Sequence, residues 1–180
     1  MQKNNCFNTP LPMQSYTHEH QLQADCVIWF ANKYPSLRGT LWGNFAEQSV
    51  SLASKKLSLG LIRGLPDLMF RLNGVFVGIE LKLPGTSHNI AHLVEQAEWM
   101  QNNTDIGYFC DSFSGFQYLI THIVEHVAKR RMATQGTMLE YYLDHDGLCS
   151  PLLVLNFCRS RKTKTTTWNK NNFIKFVNDF

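Results

Sequence analysis

Two carboxylate residues and a lysine lie at the ends of two short segments in which apolar residues occupy every second position. Asp67 comes directly before the first segment, and Glu80 and Lys82 close the second. Carboxylate oxygens are the ligands that hard divalent cations prefer, and an ammonium group stabilises negative charge. These residue types suit metal-assisted hydrolysis of a phosphodiester bond. Asp67 and Glu80 would hold Mg²⁺ or Mn²⁺, and Lys82 would act at the attacking water and at the charge that develops on phosphorus.

The dipeptide Asn73-Gly74 stands between the two segments and predicts a tight hairpin, because a type I′ turn needs positive φ at both central residues. One face of this hairpin is wholly apolar and pairs Leu72 with Val75, Phe70 with Val77 and Leu68 with Ile79. The other face places Asp67 opposite Glu80, and Lys82 projects from the same face. Like charges directly opposite each other are destabilising, so the register predicts a cation between the two carboxylates.

A helix is predicted from a cap at Thr17 to Tyr34. Glu19 falls inside its buried stripe, together with the apolar residues Leu22, Cys26 and Phe30. A buried carboxylate must be paired, protonated or bound to a metal, which makes Glu19 a candidate site residue. The alternative is that Glu19 lies in a solvated first turn and simply favours the helix dipole.

The remaining periodicity predicts further helices and strands around the hairpin. They are a strand over 41–45, helices over 48–57 and 87–102, a strand over 106–110, a helix ending near 131, a linker at 132–137, a strand over 152–157 and a helix over 172–180. We therefore divide the chain into an N-terminal arm (1–15), an α/β core (16–131) and a C-terminal extension (138–180). The extension is expected to pack on the core or on a second subunit.

Basic and polar residues near these elements are candidates for nucleic-acid contact. They are Asn44, Lys55, Lys56, Arg63, Arg159, Arg161, Lys162 and Lys164. Arg63 stands four residues before Asp67, where it could clamp a phosphate. The alternative for each cationic residue is an ordinary solvated surface position. The formal net charge of +3 is compatible with a polyanionic partner but is weak support taken alone.

The composition favours a protein of the reducing cytoplasm. The five cysteines are odd in number and contain no C-x-x-C pair, so neither a disulfide framework nor a structural zinc site is indicated. His88 and His92, on the far side of the helix over 87–102, have a spacing that zinc can use, but no third ligand is evident. No signal peptide or membrane-spanning run is predicted.

Several short motifs of this chain resemble the PD-(D/E)xK nuclease superfamily, and within it are similar to the VRR-NUC (virus-type replication-repair nuclease) family. The matching text is Arg63-Gly-Leu-Pro-Asp-Leu68, Gly78-Ile-Glu-Leu-Lys82, Pro84-Gly85, Gln96 with Trp99, and Gly107-Tyr108. The resemblance runs from about Thr17 to His126. It departs from the family in a longer segment between Pro84 and Gln96 and in a tail after Lys129 that has no family counterpart.

The resemblance implies an α/β PD-(D/E)xK core of order αβββαβα, with a mixed sheet flanked by helices. It implies that Asp67, Glu80 and the Leu81 carbonyl hold Mg²⁺ or Mn²⁺, that Lys82 assists the water, and that Glu19 and Gln96 support the site. Small free-standing members of the family look like homodimeric endonucleases that act on branched DNA. The resemblance therefore implies a structure-specific endonuclease for branched, Holliday junction-like DNA in replication, recombination or repair, in the cytoplasm of a bacterium or of a phage-infected host.

Two other functions remain open at this point. One is a restriction-type, nicking or flap nuclease of the same fold. The other is a protein of nuclease fold that binds nucleic acid or a partner without cutting. For the expected dimer, we assign Trp99, Phe173, Phe176 and Phe180 to apolar surface that association would cover.

Overall fold

The computed structural model describes residues 16–44, 64–127 and 147–178. The predicted N-terminal arm, the helix over 48–57 and the linker at 132–137 lie outside these ranges. The described residues form a mixed α/β fold around a five-stranded sheet in the order β1-β2-β3-β5-β6. These strands are β1 (Leu41–Gly43), β2 (Leu68–Leu72), β3 (Val75–Leu81), β5 (Ile106–Cys110) and β6 (Leu148–Cys149).

The hairpin of β2 and β3 has the register that the Asn-Gly turn predicted. Leu68 pairs with Ile79, Phe70 with Val77 and Leu72 with Val75. Asn73 and Gly74 have φ values of 48° and 78°, as a type I′ turn requires. The predicted hairpin is therefore confirmed, and residues 68, 70 and 72 share one face with the odd-numbered residues of β3.

Strands β3 and β5 pair in parallel, whereas the other neighbours in the sheet pair antiparallel. A parallel pair needs a crossover connection, and here it consists of strand β4 (Ser87–Asn89) and helix α2 (Ile90–Asn103). The carboxyl ends of β3 and β5 consequently lie side by side. Lys82 and Asp111 follow those two ends, and the backbone N–H of Lys82 donates to the Cys110 carbonyl at 3.0 Å.

Helices cover both faces of the sheet. One face packs against α1 (Glu19–Lys33) and α3 (Phe113–His122), the second of which continues into a π-helical turn over Ile123–Val127. The other face packs α2 and α4 (Pro151–Ser160) over β5 and β6. In β5 the side chains alternate between the two cores, with Tyr108 and Cys110 in the first and Phe109 in the second.

The predicted strand over 152–157 is wrong, because these residues belong to helix α4. The side chain of Ser150 caps this helix by accepting a hydrogen bond from the Leu153 N–H at 3.4 Å, and Pro151 occupies the first turn. The described part of the C-terminal segment adds β6 to the main sheet and places α4 against α2. It continues through β7 (Thr165–Thr167) into α5 (Lys170–Asn178).

Two further expectations need correction. The helix predicted over 87–102 begins only at Ile90, because Ser87–Asn89 form β4 and pair antiparallel with β7. Phe173 is not an association surface, since it is fully buried within the chain against Trp168 and Phe157. Trp99 is half-buried at the edge of the same core. Nothing is described of the side chains of residues 176 and 180.

None of the described helices is long and apolar enough to cross a membrane.

Candidate active site

Three polar side chains that are almost completely withdrawn from solvent meet at the end of β3, two from the chain at that end and one from α2. Glu80, Lys82 and Gln96 are 1%, 3% and 1% exposed. The Lys82 ammonium forms a salt bridge with Glu80 Oε1, and the Gln96 amide donates to the same oxygen at 2.5 Å. A buried carboxylate is stable only when it is paired and hydrogen-bonded. Glu80 meets both conditions through one lysine and one amide.

Asp67 is fixed against β3 by two hydrogen bonds that involve the backbone. Its carboxylate oxygen Oδ2 accepts from the Leu81 N–H at 2.8 Å, and its own N–H donates to Glu80 Oε2 at 3.2 Å. Its carbonyl accepts from the Gln23 side chain at 3.1 Å and from the Asn44 N–H at 2.8 Å. Asp67 is half-buried and adjoins Glu80, so the structure brings together the two carboxylates that the sequence placed opposite each other.

Glu19, in the first turn of α1, reaches the backbone that directly follows Lys82. Its Oε1 accepts a long hydrogen bond from the Leu83 N–H at 3.4 Å and lies 3.8 Å from His88 Nε2. The Glu19 side chain is 37% exposed, which makes it the accessible carboxylate of the cluster. The structure therefore places all five predicted site side chains, from Glu19 to Gln96, in one connected group.

The charges of the cluster keep Lys82 protonated. Burial alone would lower the pKa of this ammonium, but the negative charges of Glu80, Asp67 and Glu19 outweigh burial and leave the pKa raised. An ammonium of this kind can donate hydrogen bonds and stabilise negative charge at neutral pH.

The segment from Leu83 to His88 is held on two sides. The Thr86 hydroxyl donates to the Leu83 carbonyl at 2.6 Å and lies 2.6 Å from His88 Nε2. Because the single hydroxyl proton is directed at Leu83, His88 Nε2 is the donor to Thr86. On the other side, the Trp168 N–H donates to the Thr86 carbonyl at 2.7 Å, and Gly85 N–H donates to the Trp168 carbonyl at 3.0 Å.

His88 is neutral at physiological pH. Burial, together with the positive charges of Lys82 and His92, lowers the pKa of His88 to about 4. Its ring is packed edge-on to Trp168, with the centroids 6.4 Å apart. His88 thus adds a neutral hydrogen-bond donor, without a further positive charge, beside Glu19.

The donor set of the cluster fits a hard divalent cation. Within the described ranges no group of three or more His, Cys, Asp or Glu side chains forms a metal site. The cluster supplies instead two adjoining carboxylates, from Asp67 and Glu80, and Mg²⁺ commonly binds through one or two carboxylates while it keeps several waters. In the described part of the chain, Gln96 Oε1 is a buried acceptor without a hydrogen-bond partner next to Glu80, which is consistent with a water or ion in the complete site.

A similar fold occurs in a solved structure. Neither a protein-family model nor a curated protein matches the sequence. A solved structure of a VRR_NUC domain protein has a TM-score of 0.50 and 16% sequence identity, and the match covers 62% of this chain and 92% of that one. The fold is distantly VRR-NUC-like. At this level of identity the likeness concerns the fold alone.

The predicted nucleic-acid residues are spread more widely than the acidic cluster. Asn44 lies beside Asp67, to whose carbonyl its backbone N–H donates. Arg159 forms a salt bridge with Glu98 at 2.6 Å, and the Arg161 guanidinium lies 4.5 Å from the centre of the Phe157 ring. Lys162 and Lys164 are exposed between α4 and β7. The remaining three, Lys55, Lys56 and Arg63, lie outside the described residues.

Sequence reasoning missed three residues that hold the site together. The helical pattern of α1 places Gln23 only at the margin of the buried stripe, although its amide donates to the Asp67 carbonyl. His88 was placed on the far side of a helix, and Trp168 received no role. The contacts of the last two depend on the pairing of β4 with β7, which lie far apart in the chain. No local sequence signal reveals that pairing.

Proposed function

We propose that this protein is a metal-dependent DNA endonuclease of the VRR-NUC type that hydrolyses phosphodiester bonds in the cytoplasm. The observation that carries the proposal is the buried cluster at the end of the β2–β3 hairpin, where Asp67 adjoins Glu80 and Glu80 binds Lys82. Two adjoining carboxylates with a protonated lysine are what phosphodiester hydrolysis at a bound cation needs. Among the described elements, the succession α1, β1, β2, β3, β4, α2, β5, α3 contains the elements of the expected αβββαβα order with the short strand β4 inserted before α2, which supports the proposal.

In this proposal Asp67, Glu80 and the Leu81 carbonyl hold Mg²⁺ or Mn²⁺. When bound, such a cation polarises a phosphoryl oxygen and lowers the pKa of a coordinated water. Gln96 holds the Glu80 carboxylate through its amide, and the Leu81 N–H does the same for Asp67. Both carboxylates are therefore oriented before the substrate arrives, which avoids a reorganisation cost during the reaction.

Lys82 acts on the substrate as a cation. Its ammonium, which binds Glu80 in the structure, would donate hydrogen bonds to the attacking water or a phosphoryl oxygen and stabilise the charge that develops on phosphorus. Glu19 supports this position from α1 by holding the Leu83 N–H directly after Lys82. Glu19 and Gln96 are thus positioning residues, and Asp67, Glu80 and Lys82 are the catalytic residues.

Nuclease assays with two variants test the proposal. We expect Asp67→Asn and Lys82→Met to lower the cleavage rate by about 10²-fold or more, since each removes one charge that the transition state requires. The rate is measured on matched four-way junction, flap and linear duplex DNA with Mg²⁺. EDTA should abolish cutting. As a control, Lys33→Met removes an equal charge from the last turn of α1 and should leave the rate unchanged.

Cleavage that persists in EDTA, or in both variants while they remain folded, would contradict the proposal. We further propose that the substrate is branched DNA and that the protein acts as a homodimer. Both rest on the resemblance of Gly78-Ile-Glu-Leu-Lys82 and the accompanying motifs to small VRR-NUC proteins. A strong preference for the junction over the flap and the linear duplex, together with a dimer in sedimentation experiments, is the expected result.

A further inference from the structure

Three aromatic side chains form a continuous surface at the edge of the main sheet, which we call the aromatic face. Trp42 of β1 stacks on Phe76 of β3, with centroids 6.1 Å apart and an angle of 15° between the rings. Trp99 of α2 contacts Phe76 edge-on at 6.5 Å. Trp42 is 38% exposed, and the other two rings are half-buried. A clustered aromatic surface of this kind is typical of an interaction site.

The aromatic face lies on the same side of the sheet as the acidic cluster. Trp42 pairs with Met69, and Phe76 pairs with Arg71, so these residues share the face from which Asp67 projects. The opposite face of the same strands is buried in the core. From Asp67 to Arg71 the strand rises by about 13 Å. A bound polymer could therefore contact both places at once.

The charge next to the rings favours a polyanion over an apolar partner. Arg71 is exposed and stands in the same row as Phe76. The Asp105 carboxylate, which accepts a hydrogen bond from the Phe76 N–H at 2.8 Å, is a negative charge on the β5 side of Phe76, whereas Arg71 lies on the β2 side. An apolar protein surface placed here would desolvate the Arg71 guanidinium, which is costly, whereas a phosphate group would pair with it.

We propose that the aromatic face and Arg71 bind unpaired nucleotides of the DNA substrate, with bases stacked on Trp42 and a phosphate at Arg71. This inference rests on the proposed nuclease function. Aromatic rings stack on all four bases, so such a surface is tolerant of sequence and selects single-stranded segments, whose bases are available for stacking. A DNA strand bound here would run along β2 toward Asp67, which directly precedes this β-strand.

The test uses substitutions that separate ring stacking from apolar contact. Trp42→Leu keeps an apolar surface without a ring, and Trp42→Tyr keeps a ring. We expect Trp42→Leu to weaken the binding of fluorescein-labelled oligothymidine roughly tenfold, measured by anisotropy in EDTA, while binding of a matched duplex changes little. Trp42→Tyr should largely restore binding. Tyr118→Ala is the control, because Tyr118 is a similarly exposed aromatic residue on α3, which covers the opposite face of the sheet.

Arg71 gives an independent measurement. Arg71→Gln should reduce the slope of log K against log salt concentration for oligothymidine binding by about one, as expected for the loss of one phosphate contact. Arg71→Lys should retain most of the slope. Circular dichroism and urea unfolding establish that each variant is folded. Exposed positions such as Trp42 and Arg71 are expected to tolerate these changes.

The inference is overturned if folded Trp42→Leu binds oligothymidine as tightly as the unchanged protein. It is also overturned if Trp42→Asp converts a dimer to a monomer in sedimentation equilibrium without affecting oligothymidine binding, because the face would then be an interface between two copies. Failure of the nuclease proposal is distinguishable. In that case no DNA is cut in the presence of Mg²⁺, although oligothymidine binding still depends on Trp42.

Discussion

At the scale of single residues, the site combines groups that would be unfavourable alone. Glu80 and Lys82 are both buried, and each compensates for the desolvation of the other. Removing one partner leaves an uncompensated buried charge. A variant that keeps the shape of the side chain, such as Glu80→Gln, still leaves the Lys82 charge without this partner, so its folding is checked before its activity is compared.

His88 makes the stability of the protein dependent on pH. Its pKa is about 4 in the folded protein, below the ordinary value of 6.5, so below pH 6.5 the unfolded chain binds a proton that the folded chain does not. The stabilising contribution is complete above pH 6.5 and is lost as the pH falls toward 4. We expect the free energy of unfolding to fall between pH 7 and pH 4.5 by about 2 kcal/mol because of this residue.

Urea unfolding at the two pH values checks this expectation with a matched pair of variants. His88→Gln should remove most of the fall. His20→Gln, which changes an exposed histidine of α1, should leave it in place. An unchanged pH dependence in His88→Gln would show that other groups cause it.

At the scale of elements, α2 must approach the chain that leads into the hairpin very closely. Gly64 has φ of 76°, and a Cβ atom there would lie 2.7 Å from the Glu95 carbonyl oxygen and 3.3 Å from the Gln96 N–H nitrogen. Only glycine fits both the backbone conformation and the space. The position of Gln96 beside Glu80 thus depends on the absence of a Cβ atom at Gly64.

We expect Gly64→Ala to destabilise the protein by roughly 2–4 kcal/mol and to lower cleavage, because the added methyl group pushes α2 away from Glu80. Gly39→Ala is the matched control. Gly39 has φ of 86° with no atom within 4 Å of the added Cβ, so it reports the conformational cost alone, about 1 kcal/mol. Urea unfolding and the nuclease assay together provide the measurement. Equal losses of stability and activity in both variants would contradict the role of the close contact.

The elements that local signals specify were predictable, and those that depend on distant partners were not. The hairpin register followed from Asn73-Gly74 and an alternating pattern, both contained in a short stretch. The strand predicted over 152–157 is wrong because a short apolar run does not distinguish strand from helix, although Ser150 before α4 and Pro151 at its first position are helix-start signals. The position of His88 required knowledge of strand β7, which no local pattern supplies.

At the scale of the whole molecule, the C-terminal segment belongs to the same folded body as the acidic cluster. Phe109 of β5 stacks on Trp168, which in turn packs on Phe173. Strand β6 pairs with β5, and α4 covers α2. The core on this side of the sheet is therefore built jointly from the two parts of the chain.

We expect a chain truncated after residue 146 to lose cooperative folding and cleavage. The truncation would expose Leu93, Ala97 and Met100 on α2, and it would make β5 an edge strand without its partner β6. The full chain should unfold in a single urea transition, followed by circular dichroism and tryptophan fluorescence together. A truncated chain that still unfolds cooperatively and cuts DNA would contradict the shared core.

Trp168 holds Gly85 and Thr86 through two backbone hydrogen bonds. These bonds affect the order in which the parts of the site form while the chain is being synthesised. The β2–β3 hairpin is local and can form as soon as its residues are available, whereas the pairing of β4 with β7 closes a long loop and must come late. On a growing chain, Asp67 and Glu80 would already face each other while the segment after Lys82 is still unclamped. The segment after Lys82 therefore becomes fully ordered only after Thr165–Thr167 have been synthesised, and any activity that needs that order appears no earlier.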